Sequence, residues 1–237
     1  MGLSLDGYAE IHNKNRVDNI GAGTYSRVCN AKRLLESYKV DFNILTVLTR
    51  EAARHPQKMW NFIEKEDISY IQFIPCLDKT DCGLSPGEFY GFYSGLFKTA
   101  RSNGKYISVK LFEDIIDLFA LGKAAACGMN GQCSPQFVVE ADGSVYPCDF
   151  YCTDEFRLGN LKELSLRDAF ESSAAKAFRQ AKRKLPQACD NCRYLIACNG
   201  GCKRQFHAMC VDAKGFCGFK ALLDECFRAG IQFLNTP

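Results

Sequence analysis

Fourteen of the 237 residues are cysteine, and eight of them fall into two spaced groups: Cys127, Cys133 and Cys148, then Cys189, Cys192, Cys198, Cys202 and Cys217. No other feature constrains the fold as strongly, because thiols that converge on a shared centre dictate where the chain must turn. Two residues separate Cys189 from Cys192, five separate Cys192 from Cys198, and three separate Cys198 from Cys202. Chains rich in disulfides are usually small and exported. This one is long, and its amino terminus lacks a basic segment followed by an apolar core, so thiolate–metal chemistry is expected. A tetrahedral zinc uses four ligands, and the five cysteines from Cys189 to Cys217 exceed that number. Sulfide-bridged iron prefers sulfur donors and takes four thiolates per cubane, so eight cysteines suit two iron–sulfur clusters, with zinc as the alternative. Cys210 rivals Cys217 as the last ligand. Cys29, Cys76, Cys82, Cys152, Cys210 and Cys226 are otherwise expected to pack as small hydrophobes.

The hydrophobic content of 47% is enough for a real core. No apolar run approaches the roughly 20 residues needed to span a bilayer, so a cytoplasmic protein with no membrane contact is expected. The net charge of +3 comes from 30 basic and 27 acidic residues. The short run Lys182-Arg183-Lys184 reads as a solvated helix face, and no nucleic-acid partner is expected.

The first half alternates strand-like and helix-like stretches, which implies α/β architecture with a parallel sheet. Strands are expected at Gly2–Leu5, ending in the turn Asp6-Gly7, then at Phe42–Leu48 and Ser69–Pro75. Helices are expected from Thr24, as N-cap, to Ser37, and from Pro56 to about Glu66. A third is announced by Ser85, Pro86 and Glu88 and stopped by Gly104. After Gly122 the chain has short elements and most of the cysteines, so the expected domains are 1–123 and 124–237. Within the second, Gln136–Glu140 and Ser144–Pro147 flank Asp142-Gly143 as a β-hairpin ending at Cys148. Ser165 and Asp168 begin a helix, a more polar helix runs toward Lys184, and a last one covers about 219–233.

The whole cysteine layout, together with the segments GLSLDGYAEIHNKNR, VDFNILTVLT, QFIPCLD, CGMNGQC, QFVVEADGSVYPCDFY and RLGN, resembles anaerobic sulfatase-maturating enzymes. These are radical S-adenosylmethionine (AdoMet) enzymes with a SPASM domain. The resemblance covers essentially the whole chain and implies the fold: the later βα units of a partial (β/α) radical AdoMet barrel, followed by a small α+β SPASM domain holding two [4Fe-4S] clusters. It implies crossed ligation, with Cys127, Cys133, Cys148 and Cys202 on one cluster and Cys189, Cys192, Cys198 and Cys217 on the other.

Further site residues follow. Asp149 adjoins a ligand, where a held carboxylate can act as general base; in the family this aspartate is taken to accept a proton during substrate oxidation. Ser4 stands at a strand's carboxyl end, where parallel barrels place ligand-binding groups, and the resemblance implies contact with AdoMet. Arg16 can pair with the methionyl carboxylate, and Leu77 matches a position packed near the adenine. Gly21-Ala22-Gly23 lacks the glycine spacing and lysine of a phosphate loop and reads as a flexible loop. His12, His55 and His207 form no ligand spacing and are expected at the surface or at caps.

The Cys-x3-Cys-x2-Cys triplet that holds the radical-generating cluster does not occur in the sequence. By resemblance the chain starts at the fourth barrel strand, so it is expected to be a fragment or a late-started chain, with AdoMet and the third cluster used only in a full-length parent. The implied function is oxidation of a sulfatase Ser or Cys to Cα-formylglycine, with the sulfatase polypeptide and a small electron donor such as flavodoxin or ferredoxin as partners. The alternatives are a SPASM-type radical enzyme acting on another peptide and a non-catalytic iron–sulfur scaffold.

Overall fold

A computed structural model describes residues 1–77, 81–105, 107–129, 131, 133–181 and 184–229. The chain forms two compact units, one from Met1–Lys123 with the chain from Gln205 onward, the other from Ala124–Arg204.

The sheet of the first unit has, among the described residues, four parallel strands in sequential order: β1 (Gly2–Ser4), β2 (Asn43–Leu48), β3 (Tyr70–Pro75) and β4 (Ser108–Val109). Leu3, Ile44, Ile71 and Val109 stand in one row across it. Burial alternates along β2 and β3, as a sheet with one covered face requires. The expected strands at Leu3, Ile44 and Ile71 are present; β4 is a fourth, too short at two residues to leave a periodic signature. The helices are α1 (Ala9–Asn15), α2 (Tyr25–Ser37), α3 (Arg50–Ala53), α4 (Pro56–Lys65), α5 (Pro86–Asn103) and α6 (Lys110–Leu121).

The longest helix, α5, organises this core. Ser85 Oγ accepts from the Glu88 amide and the Glu88 carboxylate accepts from the Ser85 amide, closing a capping box ahead of Pro86. Gly104 ends the helix in the left-handed conformation at φ 59°. Between these limits Phe89, Phe92, Tyr93 and Leu96 are buried, and Phe73 of β3 meets Phe92 edge-on with ring centroids 4.9 Å apart.

In the second unit, β5 (Val138–Val139) and β6 (Ser144–Tyr146) form the expected antiparallel hairpin, and β7 (Gly159–Asn160) adds a third strand. The turn depends on Asp142, which accepts from the Ser144 amide and hydroxyl, and on Gly143 at φ 89°. The core is Val145, Leu158, Ala169 and Ala175, with Phe137 and Leu164 against it. The alanines belong to α7 (Leu166–Glu171), capped by Ser165, and α8 (Ser173–Gln180). The expected polar helix toward Lys184 ends at Gln180, and Lys182 and Arg183 lie outside the described residues. A one-turn helix, α9 (Leu195–Cys198), follows.

The second unit begins where the expected second domain begins, at Ala124, but the packing divides the chain again at Gln205. The reason is the apolar stripe of α10 (Phe206–Met209) and α11 (Gly218–Arg228). Phe206, Phe219, Leu222 and Leu223 are buried, and both helices pack on α5. Helix α11 runs over 218–228 rather than 219–233, and residues 230–237 lie outside the described residues.

The capping box yields a stability test. Ser85→Ala leaves the Glu88 amide without its acceptor and should cost about 1 kcal/mol, read as a lower urea midpoint, whereas Ser85→Asp should restore most of the loss. Equal stability of the wild type and Ser85→Ala would show that the box contributes nothing.

Candidate metal centre and cofactor site

In the second unit, the loop from Cys127, the hairpin end at Cys148 and the loop at Cys202 come together. Burial pushes the Cys127 thiol up, and Cys202, Cys133 and Asp149 add to the rise. Burial also raises Cys133, where the Lys203 ammonium opposes the rise and Cys202 reinforces it. Cys148 is pushed up to about 12 by burial, with Asp149 and Cys202 contributing. Each of these three thiols therefore feels Cys202, so Cys127, Cys133, Cys148 and Cys202 share one neighbourhood. Crowding and burial keep these half-buried sulfurs as neutral thiols, and a cationic centre among them would favour the thiolate form instead.

Glycines make this approach possible. A Cβ on Gly128 would lie 2.9 Å from the Cys202 Cβ, and one on Gly131, at φ 64°, would lie 2.1 Å from the Asn199 Cβ. Gly128 and Gly131 thus fit against the 199–202 segment only with hydrogen at both positions. Among the described residues, no three His, Cys, Asp or Glu side chains are close enough to hold a single metal ion. Four soft thiol donors from separated loops suit the ligand demand of an iron–sulfur cluster.

Asp149 is exposed, and its Oδ1 accepts from the Phe150 amide at 3.0 Å and from the Cys148 thiol at 3.2 Å. When Cys148 is a thiolate the amide still fixes the carboxylate. Cys189, Cys192 and Cys198 occupy a succession of tight turns in the same unit. The Cys192 amide donates to the Cys189 carbonyl, α9 closes on Cys198, and Asn199, Gly200 and Gly201 all take positive φ. Cys217 belongs to the first unit, where it caps α11, its Sγ accepting from the Lys220 amide at 3.4 Å. A hydrogen bond from the Cys210 thiol and these amides lower the Cys217 thiol to about 7. Cys210 itself is buried at 5% exposure. Of the two rivals, Cys210 is buried and Cys217 is half-buried.

The first unit holds a second constellation, at the carboxyl end of β1. Ser4 is half-buried there, in register with Leu45, and Leu77 is half-buried just past β3. Arg16 makes a two-point ion pair with Asp6, its Nε 2.5 Å from Oδ2 and an Nη 3.3 Å from Oδ1. This occupies the side edge of the guanidinium and leaves its end edge for a second carboxylate.

Asp6, expected only as a turn residue, is 4% exposed and also accepts from the Val47 amide at 2.9 Å. Its own amide donates to His12 Nδ1 at 3.0 Å, so the imidazole carries its proton on Nε2 and donates to Thr24 Oγ1 at 3.1 Å. His12 is 0% exposed, not a surface residue, and burial lowers its pKa. Thr24 occupies the N-cap position of α2 without capping it; its hydroxyl donates to the Arg16 carbonyl, and Asn13 Oδ1 accepts from the Tyr25 amide instead. Gly21-Ala22-Gly23 forms a turn tied to Asp18, and a Cβ on Gly23 would meet Asn13 at 2.2 Å.

A family profile described as "SPASM: Iron-sulfur cluster-binding domain" matches residues 127–193. The cysteine-type anaerobic sulfatase-maturating enzyme of Clostridium perfringens (strain 13 / Type A) is 41% identical over 224 residues, covering 90% of this chain and 59% of that protein. The serine-type enzyme of Bacteroides thetaiotaomicron is 26% identical, covering 90% and 57%. The solved structure "Native anSMEcpe with bound AdoMet" superposes with a TM-score of 0.87 at 38% identity, covering 100% of this chain and 68% of that one. This chain belongs to the anaerobic sulfatase-maturating enzymes.

It spans about three fifths of the length of the curated relatives it matches. The fold is accordingly the α/β parallel-sheet part of a radical AdoMet enzyme with its SPASM domain, and no helix among the described residues is long and apolar enough to cross a membrane. From the sequence Asp6 is expected only as a turn residue and His12 only as a surface or cap residue, and Lys203, Gly128 and Gly131 are not singled out. The signal for the first two was an acid and a histidine six residues apart, a spacing that acquires meaning only once β1 and α1 fold back on each other.

Two measurements probe these sites. Gly131→Ala should lower bound iron and sulfide from about eight of each per chain toward half. Gly104→Ala, also at positive φ but with nothing within 4 Å of its Cβ, should keep full loading; equal loading of both variants would remove the close-approach argument. For His12, the folded protein keeps the imidazole neutral at a pH where the unfolded chain, titrating near ~6.5, is already protonated. Its contribution to stability is therefore complete above that pH and is lost as the pH falls through the lowered folded value. Between about pH 8 and about pH 5 the wild type should lose more thermal stability than His12→Gln, which has no proton to gain there; parallel titrations would contradict this.

Proposed function

We propose that this chain supplies the substrate-facing barrel strands and the two-cluster SPASM domain of an enzyme that oxidises a sulfatase side chain to Cα-formylglycine. One observation carries the reading: four thiols from separated loops crowd together beside Asp149, a carboxylate fixed by a backbone amide. In this reading Cys127, Cys133, Cys148 and Cys202 hold one [4Fe-4S] cluster, and Cys189, Cys192, Cys198 and Cys217 hold the other. When bound, the clusters supply one-electron redox capacity and AdoMet supplies a radical that abstracts hydrogen. The chain's own residues do the rest. The free end edge of Arg16 receives the methionyl carboxylate, Ser4 lies at the strand end beside it, and Leu77 packs the adenine. Asp149 accepts the substrate proton as the carbon becomes an aldehyde.

The substrate side chain in this reading is cysteine. Cysteine-type relatives match at 36–41% identity and serine-type relatives at 26–28%. A related enzyme has been solved with AdoMet and the Cp18Cys peptide, which supports a sulfatase peptide as the partner. A small electron donor completes the cycle, and a reducing cytoplasm suits ligands that must stay thiolates.

The test is a chimaera in which the amino-terminal part of the C. perfringens relative, bearing Cys-x3-Cys-x2-Cys, is joined to this chain and loaded with iron and sulfide. It should convert a cysteinyl sulfatase peptide to the aldehyde, detected by mass. Asp149→Asn should keep its iron but lose about 10²–10⁴ in rate. Full turnover by Asp149→Asn would remove the proton-acceptor role, and failure of the wild-type chimaera to convert any sulfatase peptide would remove the functional assignment.

A further inference from the structure

Cys76 and Cys82 lie outside the eight-cysteine pattern and were expected only to pack. Their sulfurs are 3.1 Å apart, inside van der Waals contact and about 1 Å from the ~2.05 Å of a disulfide bond. Main-chain hydrogen bonds hold both positions. The Cys76 amide donates to the Leu48 carbonyl at 2.9 Å, the Cys76 carbonyl accepts from Leu84 at 3.2 Å, and the Cys82 carbonyl accepts from Arg50 at 2.9 Å. The backbone that carries both thiols is therefore held by the end of β3 and the approach to α5. Both residues are half-buried rather than sealed, which leaves room for a small reagent and contrasts with the enclosed Cys29, Cys210 and Cys226.

We infer that Cys76 and Cys82 form a dithiol site for exchange with low-molecular-weight disulfides. In the first step one thiolate attacks a sulfur of the small disulfide, forming a mixed disulfide and releasing one thiolate. The second cysteine, as thiolate, then attacks the protein sulfur of the mixed disulfide and expels the other. In sum, two protein thiols are oxidised, one small disulfide is reduced to two thiols, and no electron or atom is left over. The second step is intramolecular between groups already in contact, so it outruns capture by another reagent molecule. The crosslink ties the segment that carries Leu77 to the segment that leads into Ser85. The site stands on its own geometry and does not depend on the sulfatase reading.

The experiment uses the full chain, loaded with iron and sulfide, incubated anaerobically with glutathione disulfide, alkylated with iodoacetamide and digested with trypsin. Cleavage after Lys79 separates the two cysteines, so the crosslink is read as two peptides joined by a bond that reduction breaks. The expected result is loss of both iodoacetamide adducts at Cys76 and Cys82, a joined peptide pair in their place, and unchanged iron content. Cys82→Ser should trap glutathione on Cys76, and Cys76→Ser should trap it on Cys82. Full alkylation of both cysteines in the wild type, or glutathione on each without a crosslink, would overturn the inference. So would single variants that take up no glutathione.

Discussion

Asp6 is the residue on which the first unit depends. Its carboxylate accepts from the Val47 amide and the Arg16 guanidinium, and its amide donates to the fully buried His12. One residue thereby joins the end of β1, the interior of β2, and the middle and C-cap of α1. Removing a carboxylate from water costs several kcal/mol, and only a complete set of partners offsets that. Here the set is complete, and its geometry leaves one edge of Arg16 unspent. The strength of the tether and the readiness of Arg16 for a second anion are thus two consequences of the same bond pattern.

The second unit solves a different problem. What shapes it is the requirement that separated loops approach within the reach of one cluster. Gly128 and Gly131 permit that approach at distances no side chain tolerates. Lys203, donating to the Phe178 carbonyl at 3.0 Å, supplies positive charge beside Cys133. Binding a cationic centre there would replace protons on thiols whose pKa values burial has raised, so loading is expected to release protons.

Much of this was legible in the sequence, and the rest was hidden for physical reasons. Capping signals placed α5 and α7 because they act within four residues: Ser85 with Glu88, and Ser165 with Asp168. The strands of the parallel sheet announced themselves as apolar runs, except β4, whose two residues carry no period. The burial of His12 and Asp6 was not legible, because it depends on partners that come from Thr24 and Val47. Nor was the grouping of α10 and α11 with the barrel strands, since an apolar stripe states that a helix packs but not on what. Cysteine spacing pointed to cluster chemistry, whereas the crossed set came from resemblance and is supported by the shared field of Cys202 at Cys127, Cys133 and Cys148.

Spacing alone would assign the same chemistry to every cysteine pair with a suitable gap, yet the surroundings divide the fourteen into distinct kinds. Cys127 and Cys133 have the same five-residue gap as Cys76 and Cys82. The first pair sits in a glycine-cleared cradle among other thiols and a lysine; the second stands sulfur to sulfur, held by the main chain of β2, β3 and the start of α3. Cys210 and Cys217 show the same division between hydrogen-bonded neighbours, one enclosed and donating, the other accepting amides at a helix start. A thiol becomes a ligand, a redox partner or core filler according to which charges and donors the fold sets around it. In this chain main-chain amides, Lys203, Lys220 and Asp149 supply those charges and donors, and two glycines supply the room.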